Sequence, residues 1–523
     1  MINNKTLQYI FAVIVLLYGM HFFAFGIVGY DYKYLPGDLG DTRLINYFLE
    51  HGYQSLFLNN GSFWDAPFMF PAKNTLALSE NLVGTMPLYA LWRVVKFDCE
   101  TSLQLWFISL FALNYLGCFY ASIKLGNKIY SSALVAFIFA FAMPVIAQAN
   151  HSQLMPRFIF PIAFYLLVLF LTDFKIKHFF LFMLAIVFQI YCGVYLGFLS
   201  FYSLLIFTIV TIVNKKLYAS IIHFVKTEHY KIAIAIAINI VLIYPLLTHY
   251  LQSSNLVGMR SFDTIKDCVP RLNSYLFAYN GSYFWGFLTN VGTNLPVFWE
   301  HFLFPGGVVL FALLLIIIAR FFNYEFFNNK NNLYYNIAFS CVIIIITTTL
   351  VNDFSFYNYI RQVVPGFSAL KSVTRIVFPL LLLFALCIVP LFNYLETKRY
   401  NYVWITLLAL VILLEQLVHQ ENFIRIDKQA VQNRQIAIQQ KINLQSITPN
   451  SILAYTPTVI DNSEAVQADG MMVAQALGIK SINGYSSSAP PGFAPYWSIP
   501  DSINLKNWVI QNKLSYQNII IVK

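Results

Sequence analysis

The sequence predicts a polytopic α-helical membrane protein with about eleven transmembrane helices and a small α/β domain at its C-terminal end. Hydrophobic residues make up 58% of the 523 residues and charged residues 11%, far less charge than a soluble surface of this size needs. Several apolar runs, including those containing 311–318 and 376–394, are long enough to cross a bilayer, which takes roughly 20 helical residues. Helices are predicted because a spanning segment must satisfy its own backbone hydrogen bonds.

The excess of cations is explained by the membrane. The chain has 33 Lys and Arg against 23 Asp and Glu, a net charge of +10. Cytoplasmic loops of membrane proteins are enriched in Lys and Arg, and no basic patch with interleaved aromatics indicates nucleic acid binding. Lys5 precedes the first apolar run and predicts a cytoplasmic N-terminus. Residues 8–29 are long and lack a small-residue cleavage site, so we predict a retained first span.

Residues 81–95 decide how the chain is threaded through the membrane. They number only fifteen and contain Pro87, which favours an interfacial or re-entrant helix over a span. With this stretch outside, every short loop assigned to the cytoplasm carries Lys or Arg. The predicted spans are then 8–29, 101–123, 131–149, 158–173, two helices joined near Cys192-Gly193, 232–250, one ending at Arg320, 333–351, one ending at 398–399, and 402–418.

This threading predicts two domains. Residues 1–419 form the transmembrane domain, with outer loops at 30–100, 251–302 and 352–375. Residues 420–523 lack long apolar runs and alternate short strand-like runs with helix-like stretches, at 432–445, 464–477 and 502–513, which predicts an α/β domain outside the membrane.

The first outer loop carries two acids close together. Asp38 and Asp41 lie shortly after the first span. A carboxylate at this depth can deprotonate an acceptor hydroxyl or hold a metal. The alternative is helix capping, with Asp38 as N-cap and Asp41 in the first turn, and composition alone favours the cap.

Further polar residues are predicted at the same level of the membrane. An aromatic, proline-bounded loop carries Asp65 and precedes Glu80; such a loop suits stacking on a sugar or anchoring at the interface. His151 and Gln153 lie at the mouth of the third span, with Arg157 beyond them. Ionisable groups beside spans are functional candidates, although a lone histidine is as often structural.

Two more clusters complete the predicted site. Glu300 closes the large loop, and Lys371 to Arg375 precede the tenth span. A cation there suits a phosphate or pyrophosphate, or anchors the helix by snorkelling. Acids, a histidine and cations on one side predict a site for a lipid-phosphate substrate. Cys99 and Cys268, on the same side, allow a disulfide.

The chain resembles the GT-C superfamily of membrane glycosyltransferases. Asp41-Thr42-Arg43-Leu44, with the helix to Glu50-His51-Gly52, resembles the Asp-Glu-x-Arg-Tyr pattern of that superfamily's first loop, and Pro87-Leu88-Tyr89 resembles its juxtamembrane helix. It also resembles a group of bacterial GT-C-like membrane proteins in several short motifs: Gly37-Asp38, Phe70-Pro71, Leu76-Ala77-x-Ser79-Glu80, His151-x-Gln153, Phe304-Pro305-Gly306, Asn483-Gly484-Tyr485-Ser486 and Pro490-Pro491.

The resemblance implies transfer of a sugar from a polyprenyl-phosphate-linked donor to an envelope glycan, lipid or protein acceptor, outside a bacterial cytoplasmic membrane. Asp41 or Asp38 would be the base. Arg375 and Arg157 would hold the donor phosphate. The residues implied to assist in binding are Glu80, His151, Gln153, Asp65, Glu300 and Tyr485, the last in a loop that would cover the site.

The resemblance leaves the metal and the activity open. Some GT-C enzymes need a divalent metal, so Mg, Mn or Zn held by Asp41, His151 and Glu80 is one alternative. Thr42 replaces the usual second glutamate of the motif. The competing functions are a transporter or flippase for a lipid-linked glycan and a non-catalytic envelope scaffold. Transporters usually show midplane polar residues and inverted repeats, and neither is evident in this sequence.

Overall fold

The structure, a computed structural model, describes residues 4–322, 332–364 and 366–523. Helices dominate it. Those before the large loop are α1 (Asn4–Gly19), α2 (Phe25–Val28), α3 (Asp41–Gly52), α4 (Met86–Val94), α5 (Cys99–Lys124), α6 (Ile129–Phe141), α7 (Met143–Ala147), α8 (Ile159–Asp173), α9 (Ile176–Cys192), α10 (Val194–Lys215) and α11 (Tyr218–Val257).

The remaining helices follow the large loop or lie within it. They are α12 (Phe262–Ile265), α13 (Gly307–Phe321), α14 (Asn332–Thr348), α15 (Tyr357–Val363), α16 (Val377–Leu386), α17 (Ile388–Leu395), α18 (Asn401–Glu415), α19 (Lys428–Gln439), α20 (Ser463–Ala476), α21 (Ala494–Ser498) and α22 (Ser502–Gln511). The strands are β1 (Tyr34–Pro36), β2 (Arg425–Asp427), β3 (Ile452–Tyr455), β4 (Lys480–Ser481) and β5 (Ile519–Val522).

The apolar helices match the predicted spans in position. Within the described ranges, seven helical segments are long and apolar enough to cross a membrane. Four shorter apolar helices, α9, α13, α14 and α18, coincide with the other predicted spans and have 15 to 17 residues. A multi-pass membrane protein is therefore confirmed. The count of eleven spans stays a prediction, because 15 to 17 residues lie at the lower limit for a span.

The stretch 81–95 forms the nine-residue helix α4, with Pro87 in its first turn. At 1.5 Å per residue it is about 14 Å long, too short to cross a hydrocarbon core of roughly 30 Å. It lies against α3 instead. Tyr89 donates a hydrogen bond of 2.9 Å to Glu50, and Arg93 Nε donates one of 2.8 Å to the same carboxylate. Both helices therefore belong to one loop assembly beside the bundle.

The C-terminal segment is an α/β unit around a short parallel sheet. The strand order is β4-β3-β5, with Ile452 opposite Ile519 and Tyr455 opposite Val522. Helices α19, α20 and α22 occupy the three predicted helical stretches approximately. The predicted boundary at residue 420 stays a prediction.

Packing is continuous from the first loop into this C-terminal segment. Phe48, Phe68, Met471 and Trp508 are buried in one hydrophobic core, and β1 pairs with β2 in an antiparallel ladder, Tyr34 opposite Asp427. The segment is thus fastened to the loop that carries Asp38 and Asp41.

Cysteines contribute no crosslink in the described ranges. All six are free thiols, including Cys99 and Cys268. The disulfide considered for this pair is absent from the structure.

Candidate functional site

A cleft of about 1210 Å³ lies between the helical bundle and the C-terminal segment. Its lining includes apolar side chains, among them Phe198 of α10 and Ile243 and Leu247 of α11. It also includes the acids, the histidine and the cations described below. A cavity with both kinds of lining can accommodate a molecule that has a lipid tail and a charged head.

Four ionisable side chains, acid and base in alternation, form a chain along the lining of the cleft. His151 Nδ1 lies 2.5 Å from Asp41 Oδ2, and His151 Nε2 lies 3.4 Å from Glu300 Oε1. Arg375 Nη2 lies 3.2 Å from the same Glu300 oxygen. All four line the cleft. All four were predicted from the sequence as site residues, and the structure brings them together.

The first turn of α3 aims Asp41 into the cleft. Asp38 Oδ1 accepts hydrogen bonds of 3.0 Å from the backbone N–H groups of Gly40 and Asp41, so Asp38 caps the turn while Asp41 remains free for the site. Gly37 has φ +97°, and a Cβ atom there would lie 2.8 Å from Asn150 Cα. Glycine therefore permits the close approach that puts Asp41 beside His151.

Tyr485 occupies the second oxygen of Asp41. Its hydroxyl donates a hydrogen bond of 2.7 Å to Asp41 Oδ1. The loop that carries Tyr485 is tied across the cleft, since Ser487 donates to Leu78 O at 2.7 Å and Arg260 donates to Ser487 O at 3.0 Å. The loop that the sequence suggested as a cover for the site therefore contacts the predicted base directly.

The electrostatics of the chain favour its charged form. Burial alone would raise the pKa of Asp41, but the hydrogen bond and charge of His151, with Tyr485 and Arg375, hold this pKa below its usual value. Burial and Arg375 would lower the pKa of His151, yet Asp41 and Glu300 raise it. The pKa of Glu300 is held far below its usual range despite burial, because Arg375 and His151 stabilise the carboxylate. Each of these shifts favours the charged form of its group, two carboxylates on either side of an imidazole.

Glu80 lines the cleft but is engaged elsewhere. Its two oxygens accept hydrogen bonds from the backbone N–H groups of Val194, at 2.7 Å, and Tyr195, at 3.1 Å. Both N–H groups belong to the first turn of α10, where a carboxylate stabilises the free amides. Burial raises the pKa of Glu80 to about 7, and the two backbone bonds only partly offset that rise.

The divalent metal considered from the sequence does not fit these residues as arranged. No group of three or more His, Cys, Asp or Glu able to hold a metal occurs among the described residues. Both oxygens of Glu80 bind backbone amides, and both ring nitrogens of His151 face carboxylates. The set Asp41, His151 and Glu80 is therefore wrong as a metal site in this arrangement.

Two predicted site residues lie outside the cleft. The buried guanidinium of Arg157 donates to Phe139 O at 3.0 Å and Leu154 O at 3.2 Å, because it faces carbonyls freed where the helices are interrupted. Asp65 accepts a hydrogen bond of 2.8 Å from Asn74 N and orders its own loop. The cleft is lined by neither residue, so the assignment of Arg157 to phosphate and of Asp65 to substrate is corrected.

Other lining residues complete the cleft. Gln153 lines it as predicted, and Lys371 is an exposed lining residue with no ion pair to the described part of the chain. Sequence reasoning missed Arg260 and Glu464, which also line the cleft. Arg260 is a cation at the predicted level of the large loop, which was a usable signal. Glu464 carried none, because its position depends on how α20 packs.

Comparison with known proteins locates the fold. No family model matches the chain, and no curated protein matches it either. Among solved structures, it is similar to the oligosaccharyltransferase of Archaeoglobus fulgidus in its apo form, with 11% sequence identity and a TM-score of 0.51. The similarity covers 92% of this chain and 65% of that one, so this chain spans about two thirds of the oligosaccharyltransferase. The chain therefore shares the fold of this oligosaccharyltransferase.

Proposed function

We propose that this protein is a membrane glycosyltransferase that takes a sugar from a polyprenyl-phosphate-linked donor and transfers it to a hydroxyl of an envelope glycan, lipid or protein acceptor. The observation that carries the proposal is the alternating chain of Asp41, His151, Glu300 and Arg375 in a cleft that is also lined by apolar side chains. The GT-C-like fold supports the same class of reaction.

The apolar lining of the cleft suits the lipid tail of the donor. Helix α11 contributes Ile243 and Leu247 to that lining, and only 17% of its apolar segment is buried. In this proposal the exposed apolar side chains of α11 face the bilayer, from which a polyprenyl chain enters the cleft laterally. No energy is needed to bring such a tail through water, because it stays in apolar surroundings throughout.

Lys371 is the cation that we assign to the donor phosphate. The charge of Arg375 is met by Glu300 at 3.2 Å, whereas Lys371 lines the cleft without an ion pair in the described ranges. Arg260 is a second lining cation, and its guanidinium reaches the Ser487 carbonyl. The charge of Lys371 acts on Glu464 without a close ion pair in the described ranges, so its ammonium group has donors available for a phosphate. Arg375 then orders Glu300 and His151.

Asp41 is the base in this proposal. The acceptor hydroxyl takes the place of the Tyr485 hydroxyl at Asp41 Oδ1, and the carboxylate accepts its proton. The hydroxyl oxygen forms a bond to the anomeric carbon as the bond from that carbon to the phosphate oxygen breaks. The electron pair leaves with the phosphate, whose charge Lys371 stabilises, and the imidazolium of His151 stabilises the ionised Asp41 before transfer. Direct displacement of this kind inverts the anomeric centre.

The orientation in the membrane follows from the same threading. Lys128 pairs with Glu396, so the α5–α6 loop contacts the α17–α18 loop. Both loops were assigned to the cytoplasm from their Lys and Arg residues. We place the cleft on the opposite, extracytoplasmic side of a bacterial cytoplasmic membrane. Cysteines introduced for Lys371 and Lys128 test this. Only the first should react with an impermeant maleimide in intact cells, and the reverse pattern would contradict the orientation.

Envelope glycans of the producing strain give the functional test. Replacing both Asp38 and Asp41 by Asn should remove one glycan or glycolipid species while the level of the protein in the membrane stays unchanged. The wild-type protein in liposomes should release polyprenyl phosphate from the donor. Unchanged glycan profiles in the double variant would contradict the proposal, and transport of labelled donor without release of polyprenyl phosphate would indicate a flippase.

A further inference from the structure

A buried ion pair joins the helix of the predicted base to the C-terminal segment. Asp469 of α20 accepts a hydrogen bond of 2.5 Å from Arg43 Nη2 of α3, and both side chains are 1% exposed. Arg43 also donates to the carbonyl of Ala465 at 3.3 Å. A guanidinium buried this deeply needs its partner, because an unpaired buried charge is strongly unfavourable.

The second oxygen of Asp469 is held as firmly as the first. Arg434 of α19 donates two hydrogen bonds to Asp469 Oδ2, of 2.9 Å from Nε and 2.7 Å from Nη2. Arg434 also pairs with Asp461 at 3.0 Å, and the side chain of Asp461 is 57% exposed. Asp469 is thus fixed between two guanidinium groups, and the network is most exposed at Asp461, with Arg434 29% exposed between them.

The ion pair of Arg43 and Asp469 is connected to the site through the first turn of α3. Arg43 is the third residue of α3, which begins at Asp41. A second contact fixes the same helix, since Gln475 of α20 donates to Tyr47 O at 3.0 Å. A rotation of α3 would move Asp41 Oδ2 out of its 2.5 Å contact with His151. The orientation of Asp41 therefore depends on how α3 is held against α20.

We propose that Asp469 is a positioning residue for transfer, which acts through Arg43 to hold Asp41 against His151. The inference rests on the proposed function only for its effect on turnover. The C-terminal segment then controls Asp41 in two ways, through Tyr485 on its carboxylate and through Asp469 on its helix. Asp469 touches no reacting atom in this view.

The variant for the test removes both charges of the pair. Arg43→Gln with Asp469→Asn leaves no lone buried charge, so the protein should fold, which thermal unfolding in detergent checks. Asp461→Asn is the matched control, because it alters the same network at its exposed end. With the donor used for the wild type, the double variant should lose at least tenfold in kcat with little change in KM. The control should keep both parameters.

A readout independent of turnover separates the two proposals. The nine histidines can be labelled with ¹⁵N in nanodiscs, and the signal of His151 assigned by its loss in His151→Gln. The titration midpoint of His151 should fall in the double variant and stay unchanged in Asp461→Asn. A folded double variant with the wild-type midpoint would overturn the role of Asp469. If the wild-type protein transfers no sugar, but the titration midpoint of His151 still falls in the double variant, only the proposed function would be overturned.

Discussion

His151 Nδ1 lies 2.5 Å from Asp41 Oδ2, although 110 positions separate the two residues in the chain. Asp41 follows the first span, and His151 follows the third. Their contact requires both residues to lie at the same end of the bundle. This is possible only if the chain crosses the membrane an even number of times between them. The nine-residue α4 meets that requirement, because it lies along α3 instead of crossing.

The two acids of the first loop should differ in their effect on transfer. Asp41→Asn removes the base and should lower kcat by about 10²-fold or more, within the range of general base catalysis. Asp38→Asn keeps a side-chain oxygen for the backbone N–H groups that Asp38 now caps, so its loss should be several-fold at most. Transfer rates in liposomes measure both. Equal losses would show that the two acids share the role.

Substitutions of Lys371 and of Arg375 should change different properties of the protein. Lys371→Met removes the unpaired cation and should raise the KM for the donor roughly tenfold, with a weaker dependence of KM on salt. Arg375→Met leaves Glu300 without its guanidinium partner and should lower both kcat and thermal stability, by about 3 kcal/mol for a broken buried pair. Steady-state kinetics and unfolding of each variant decide. A larger increase in KM for Arg375→Met than for Lys371→Met would show that Arg375 binds the donor phosphate.

His151 and Glu300 should together contribute stability over a pH plateau, and this contribution should be lost on both sides of it. The pKa of His151 is raised above 6.5, so its contribution is complete below pH 6.5 and is lost as pH rises through the raised value. The pKa of Glu300 is lowered from 4.5, so its contribution is present above pH 4.5 and is lost as pH falls through the lowered value. For either group, a tenfold change in acid dissociation constant between the unfolded and folded protein contributes about 1.4 kcal/mol to the free energy of unfolding.

Thermal unfolding in detergent at a series of pH values checks this plateau. His151→Gln should abolish the decline at alkaline pH, because the variant has no imidazolium to lose. His178, which pairs with Asp173 away from the cleft, offers the matched control variant, His178→Gln. A decline at alkaline pH that persists in His151→Gln would assign it to another group.

Replacing the carboxylate of Glu80 by an amide should leave the activity unchanged. Its oxygens accept the first backbone N–H groups of α10, so Glu80→Ala should destabilise the protein by about 1–2 kcal/mol, while Glu80→Gln keeps one acceptor and the activity. Since burial raises the pKa of Glu80 from 4.5 to about 7, its ionisation opposes folding between those pH values. Glu80→Gln should therefore be relatively most stable above pH 7. Loss of transfer in Glu80→Gln would restore a direct role.

Sequence reasoning predicted the helical membrane class and the residues that meet at the site, because both leave marks in composition. Long apolar runs indicate spans whatever their packing, and Asp41, His151, Glu300 and Arg375 are polar residues beside such runs. The short length of 81–95 and the presence of Pro87 likewise excluded this stretch from the predicted spans. In each case a local property of the chain constrains the result.

The remaining features depend on packing between distant segments. Arg157 looked like a phosphate ligand, but carbonyls freed near Phe139 and Leu154 bind it, and breaks in neighbouring helices are not readable from its own sequence. Glu80 was considered for a metal, and only the fold shows that α10 starts beside it. The buried pair of Arg43 and Asp469 joins residues 426 positions apart, for which a single sequence gives no signal.

The ladder between β1 and β2 has a consequence for the timing of biosynthesis. β1 precedes the first acid of the site, whereas its partner β2 and the hydroxyl of Tyr485 follow every apolar helix. A nascent chain can insert all those helices and still hold Asp41 in an unsupported turn. The site is complete only when the last hundred residues have been synthesised and have folded against the first loop. Insertion of the apolar helices and assembly of the site are thus successive events.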